Sequence, residues 1–219
     1  MLYPICCGIN PGLLVLALIP TLALAQTMAV SVDPDRTSGG AALVQVFDVT
    51  ISVAFDVVVW LDSAGHPGQA VEFVVTDLEE LVPGVFKIST VTIGNPIDLG
   101  LEFPAPGEFA LVYGECVAAN NQLELARITY ADFTGVLGMD QVMTVRGLQP
   151  GDSVPSTFGG QPGFVDCDDA LVSCEMGGTA GGVTGSGVTF PAGALILNAA
   201  PLVVPTGDGS IARLKAKFY

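Results

Sequence analysis

"FDVTISVAFDVVV", Phe47 to Val59, decides how the rest of this chain is read. Phe47, Val49, Ile51, Val53, Phe55, Val57 and Val59 are all apolar, and Asp48, Thr50, Ser52, Ala54, Asp56 and Val58 stand between them. A period of two is the spacing of a strand with one buried face, so the stretch is one long strand or two bent ones. Short β-branched or aromatic runs recur on either side: "MAVSV", "VEFVVT", "VFKISTVTI", "FALVY", "LELARITYADF", "QVMTVRGL", "GALIL" and "PLVV". Nearly every gap between them carries Gly, Pro, Asn or Asp, as in "DSAGHPGQ", "GNPIDLG", "AANNQ" and "GLQPGD". Those residues supply the turn conformations that join antiparallel strands. The predicted fold is therefore all-β, an antiparallel β-sandwich.

Helix is confined to "TDLEEL". Thr76 or Asp77 is positioned to cap one or two turns, with Glu79 or Glu80 three positions later. "GGTAGGVTGSG", Gly177 to Gly187, reads as a flexible loop, because a phosphate cradle would need a following helix or Lys.

The ends differ in chemistry from the middle. Residues 1–25 carry no Asp, Glu, Lys or Arg, and the apolar run from Gly12 closes on Ala23-Leu24-Ala25. That is the pattern of a secretory signal peptide, too short to span a bilayer and interrupted by Pro20. Residues 26–204 then form one β-sandwich domain, and 205–219 a linker and basic tail. No transmembrane segment is expected once the signal is removed. The net charge of −15 repels phosphates, which disfavours nucleic acid and anionic lipid as partners. Half of the residues are hydrophobic and only 13% charged, a composition that folds. Arg213, Lys215 and Lys217 are three of only seven basic residues. In an extended tail they share one face, while Ala212, Leu214, Ala216 and Phe218 share the other. This tail is a candidate interaction element.

Three cysteines lie beyond the signal: Cys116, Cys167 and Cys174. An oxidising compartment favours one disulfide and one leftover thiol. All three pairings are open. A hairpin turn at Asp168 to Ala170 would leave Cys167 and Cys174 out of opposition, which favours Cys116 bonding one of them.

The parts for catalysis do not assemble. His66 is the only histidine and lies in a Gly/Pro turn. Gly151-Asp152-Ser153 reads as a turn, and Gly185-Ser186-Gly187 lacks the strand-to-helix setting of a nucleophile elbow. One histidine and three dispersed cysteines cannot supply zinc or haem ligand spacing. Glu79, Glu80, Glu102, Glu108, Glu115 and Glu124 could in principle pair across a sugar cleft, but the chain has one tryptophan and few aromatics to line it. Calcium is the one cofactor with candidate ligands: Asp33 and Asp35 in "VDPDRTSGG", and Asp166, Asp168 and Asp169 in "VDCDDA". Neither loop has EF-hand spacing. For the second, a cysteine-bearing hairpin is the first reading, a calcium loop the second and a redox site the third.

"VTIGNP", "LVYGECV", "ARITYADF", "GFVDCDDALV" and the closing "ARLKAKFY" resemble a group of uncharacterised secreted proteins from environmental bacteria. The resemblance covers roughly residues 88–175 and the terminus. It implies a single β-sandwich with a Tyr-Gly-x-Cys strand, a Val-Asp-Cys strand and a short basic-aromatic tail. That group has no settled activity to carry over. Its members often have adjacent cysteines after the "TYADF"-like strand, where this chain has "GVLGMDQVM"; Cys174 is then a candidate replacement partner. The strand order is also similar to cohesin-like and immunoglobulin-like sandwiches, a likeness of fold and not of function.

Together these readings predict a secreted, non-catalytic structural or interaction module. It would act at the cell surface or in extracellular material, and bind protein or glycan through loops or an edge strand. The alternative is a calcium-dependent carbohydrate-binding module.

Overall fold

The ends of the period-two stretch belong to two strands in different sheets: Phe47 closes one, Ala54–Val59 open the other, and residues 48 and 50–53 lie outside the described residues. A computed structural model describes residues 26–32, 45–47, 49, 54–93, 96–97, 105–117, 122–153, 155–176, 182–191 and 193–200. The predicted signal peptide and tail, Asp33, Asp35 and "PLVV" lie outside the described residues. In chain order the elements are Thr27–Ser31 (β1), Gln45–Phe47 (β2), Ala54–Asp62 (β3), Gly68–Val75 (β4), Leu78–Leu81 (α1), Val85–Thr92 (β5) and Pro96–Ile97 (β6). Glu108–Val117 (β7), Gln122–Asp132 (β8), Gln141–Met143 (β9), Val145–Arg146 (β10), Gly163–Asp166 (β11) and Leu171–Ser173 (β12) follow. Glu175–Met176 (β13), Gly182–Val183 (β14), Thr189–Phe190 (β15) and Leu195–Leu197 (β16) complete them.

Two sheets form the sandwich. The first has the order β13-β1-β3-β8-β5, and the second β12-β11-β4-β7-β6 with β10 also paired to β4. Pairing is antiparallel throughout, apart from the short β1–β13 edge. A small third sheet joins β2, β16 and β9.

Alternation explains the core. Phe55, Val57, Val59 and Leu61 of β3 turn inward with Ile128 and Tyr130 of β8. From the other sheet come Val71, Phe73 and Val75 of β4, Phe109, Leu111 and Tyr113 of β7, and Phe164 of β11. Phe73 and Phe109 stack with ring centroids 4.7 Å apart. Phe55 and Tyr130 meet at 6.1 Å within the first sheet.

The one α-helix among the described residues is capped by Asp77, which accepts from the Glu79 amide at 3.0 Å. Thr76 takes the other option and exchanges bonds with Thr144: the Thr144 amide donates to its hydroxyl at 3.0 Å, and its own amide donates to the Thr144 carbonyl at 3.0 Å. Asp77 is buried, so its charge needs more than a cap. Lys87 supplies the ion pair, and the Tyr130 hydroxyl lies 3.3 Å from the same carboxylate. The loop reading of Gly177–Gly187 needs correction. Gly182–Val183 pairs with Thr189–Phe190 as a small hairpin, closed by the Thr184 amide on the Val188 carbonyl at 2.8 Å.

Cys116 and Cys167 form the disulfide, with Cα atoms 5.8 Å apart. Their strands, β7 and β11, flank β4 on opposite sides, and both arrive opposite Gly68, as Val117 and Asp166. Cys174 is therefore not the replacement partner: it follows β12 at the other end of the hairpin and lies buried in the core as a free thiol. Burial, reinforced by the charge of Asp62, pushes that thiol up to about 12.

Two outcomes follow. Phe73→Ala should lower unfolding free energy by about 3–5 kcal/mol in denaturant titration, because it opens a cavity between the sheets. In a chain beginning at Gln26, without Cys6 and Cys7, alkylation of the folded protein should leave Cys174 unmodified, and unfolding without reductant should expose that single thiol, with Cys116 and Cys167 recovered as one linked peptide pair.

Candidate interaction face

When β4, β7 and β11 turn their large side chains inward, the alternate residues are left on the outer face of the second sheet. The register aligns them in rows across the strands. Leu171, Val165, Ala70 and Val112 make one row over β12, β11, β4 and β7. Leu171 is 61% exposed and Val112 41%, so this end of the face presents aliphatic surface to solvent. The next row is Ser173, Gly163, Glu72 and Ala110, and the next Arg146, Val74 and Glu108. Two carboxylates, Glu72 and Glu108, thus stand on this face of the sheet, and both are buried.

The segment from Gly147 to Gly160 covers them. Glu72 accepts from the Ser156 hydroxyl at 3.1 Å and from the Thr157 amide at 3.2 Å. Glu108 accepts from the Ser153 amide at 3.3 Å and its hydroxyl at 3.4 Å; its second oxygen has no hydrogen-bond partner among the described residues. Asp152 forks onto Arg146 at 2.5 and 3.0 Å and takes the Gln149 amide at 2.6 Å. The loop also seats Phe158 directly over Gly163, where a Cβ would come within 2.3 Å of the ring. Only glycine allows that approach.

Three depressions border this loop. One of about 370 Å³ gathers Asp77, Glu80, Glu108 and Asp152 beside Arg146. Another of about 610 Å³ lies within the loop, between Leu148 and Gly160. A third of about 150 Å³ follows the aliphatic row, between Ala70, Val112, Val165 and Phe158. The Arg146 guanidinium and the Gln149 amide hold the Asp152 carboxyl down to about 2.

The sequence candidates are distributed differently. Asp166 is turned to the β11–β12 turn, where its carboxylate accepts from the Asp168 amide at 2.9 Å and the Ala170 amide at 2.8 Å. Asp169 adopts a left-handed φ of 64° and accepts from the Gln69 side chain at 2.5 Å. Three or more His, Cys, Asp or Glu residues in reach of one ion do not occur among the described residues. His66 is exposed, with its amide on the Ser63 carbonyl at 3.1 Å. Ser186 donates to Asp140 within the β14–β15 turn. Glu79, Glu80 and Glu115 are exposed, and Glu124 forks onto Arg127 at 2.9 and 3.0 Å. Sequence reading passed over Glu72, Glu108 and Arg146 as loop anchors. The available signal was a lone carboxylate inside a strand run, as in "AVEFVV" and "GEFALV", on the face opposite the core.

No protein-family model and no curated protein matches the chain. Among solved structures it is similar to a cohesin module from a Clostridium perfringens family 33 glycoside hydrolase, with 7% identity, TM-score 0.41, and 80% of this chain and 97% of that one covered. It is also similar to CaCohA2 from Clostridium acetobutylicum, with 10% identity, TM-score 0.43, and coverage of 84% and 95%. The seventh ScaB type I cohesin from Pseudobacteroides cellulosolvens gives 10% identity, TM-score 0.38, and coverage of 85% and 98%.

The depressed Asp152 pKa sets a pH dependence. Its contribution to holding the loop is complete above the ordinary carboxylate pKa near 4 and is lost as pH falls towards about 2. Protection of the Gln149 amide, its exchange rate relative to the intrinsic rate at each pH, should therefore fall across that interval in the native chain. In Asp152→Asn that protection should already be low at neutral pH and should not change further on acidification.

Proposed function

We propose that the protein is a secreted, non-catalytic module that binds a protein partner through the outer face of its second sheet. The carrying observation is the row Leu171, Val165, Ala70 and Val112, an aliphatic strip on a rigid sheet, half-exposed at both ends and bordered by the strapped loop. A sheet face held by paired strands changes little on binding, which reduces the ordering cost of association. Asp168 and Asp169 are exposed in the turn that leads to Leu171, Glu115 is exposed on β7 beyond Val112, and the whole chain is strongly acidic. Those carboxylates favour a partner whose apolar anchor has a basic rim. The strip contains no aromatic ring for a sugar to stack on, which favours protein over glycan. The uncharged residues 1–25 and the Cys116–Cys167 bridge support an extracellular setting.

A photo-crosslinking side chain at position 112, in the full chain and in the organism's own extracellular fraction, should capture one discrete protein. Excess unlabelled protein should compete the capture away, and excess Val165→Lys should not, while its melting temperature stays within a few degrees of the parent's. Capture should persist in a calcium chelator. Chelator-sensitive retention on a polysaccharide instead would favour the calcium-dependent carbohydrate-binding alternative, and competition by Val165→Lys equal to the parent's would overturn the assignment of the face.

A further inference from the structure

A second apolar surface lies on the opposite sheet, away from the proposed binding face. β5 is the terminal strand of the first sheet among the described residues, and its outward side chains are large and exposed: Phe86 at 46%, Ile88 at 55% and Val91 at 50%. Phe133, just past β8 and 53% exposed, meets Phe86 with ring centroids 6.0 Å apart. Val136 extends the patch towards Gly84, close enough that a Cβ there would lie 2.9 Å from its methyl. Exposed apolar clusters of this kind on one strand and its neighbouring loop call for a cover.

The described chain leaves the domain beside this patch. The Asn198 side chain donates to the Leu137 carbonyl at 3.1 Å, and the Ala200 amide donates to Asp140 at 2.8 Å. Both acceptors belong to the same loop as Phe133 and Val136. Beyond Ala200, residues 201–210 provide up to roughly 30 Å of reach when extended. Residues 211–219, "IARLKAKFY", then alternate apolar and cationic positions. Glu79, exposed on α1, which packs against β5, supplies charge of the opposite sign, while its neighbour Glu80 lines the depression beside Arg146. The long stems of Arg and Lys let such cations reach sideways while the apolar side of the same segment stays seated.

We propose that residues 211–219 of this chain dock on its own Phe86–Ile88–Phe133–Val136 patch, with Leu214 and Phe218 as the apolar anchors and Lys215 or Lys217 at Glu79. The docking is intramolecular and couples the last segment of the sequence to the edge of the first sheet.

Zero-length carbodiimide cross-linking of the full chain, read by mass spectrometry on the monomer band, tests this. Cross-links from Lys215 or Lys217 should concentrate on Glu79, and should persist at about 0.5 M salt, where purely surface attraction is screened. Leu214→Asp with Phe218→Asp, both outside the sandwich, should reduce those cross-links about ten-fold, as expected for loss of two apolar anchors. Phe86→Ser should act in the same direction. Cross-links scattered over Asp168, Asp169 and Glu115, or abolished by salt, would overturn the proposal, leaving a tail attracted only by net charge. Cross-links that join differently isotope-labelled copies would also overturn it, in favour of a second copy as the occupant.

Discussion

The Asp132 carboxylate lies at the end of β8, buried, with four consecutive backbone amides aimed at it: Thr134, Gly135 and Val136 on one oxygen at 2.7–3.2 Å, and Leu137 on the other at 2.7 Å. Burial pushes its pKa up, but the four amides outweigh that and hold it below the usual range. The same device recurs across the fold. Asp166 turns β11 into β12 through two amides, Asp140 takes the Ala200 amide, and Glu72 and Glu108 take amides and hydroxyls from the loop above them. With 22 acidic and seven basic residues, most carboxylates of the chain have no cation of their own. Backbone donors fill the need, and in filling it they shape the loops.

That constraint links composition to surface. Glu72 and Glu108 would be costly on a bare sheet face covered by apolar neighbours, because a buried carboxylate without donors loses its hydration uncompensated. The loop from Gly147 to Gly160 supplies those donors, and Asp152 on Arg146 holds the loop at its base. The strap covers one half of the outer face and leaves the row from Leu171 to Val112 open. Acidic anchors therefore decide which part of the second sheet remains available to a partner. At β5 of the first sheet, Phe86, Ile88 and Phe133 have no such strap among the described residues.

The sandwich was legible from alternation alone. Phe55, Val57 and Val59 are inward because successive side chains of a strand point to opposite faces, a local property that needs no partner strand. The cap at "TDLEEL" was legible for the same reason, since an Asx side chain meets an amide two residues on. That Phe47 and the run from Phe55 to Val59 belong to different sheets was not, because a period of two is unbroken whichever sheet a strand joins.

Pairing and proximity belong to tertiary structure. Three cysteines allowed three pairings; the choice of Cys116 with Cys167 came from β7 and β11 flanking β4, an arrangement that depends on contacts between residues 51 positions apart. Glu108 and Arg146 were isolated letters in the sequence, and became neighbours across Val74 only when β10 and β7 paired with opposite edges of β4. Local chemistry thus determined the strands, the turns and the acidic character of this protein. Which side chains share a face, which carboxylates a loop covers and which thiol stays free were decided by strand order, because hydrogen-bond registry between distant segments has no signature within either segment.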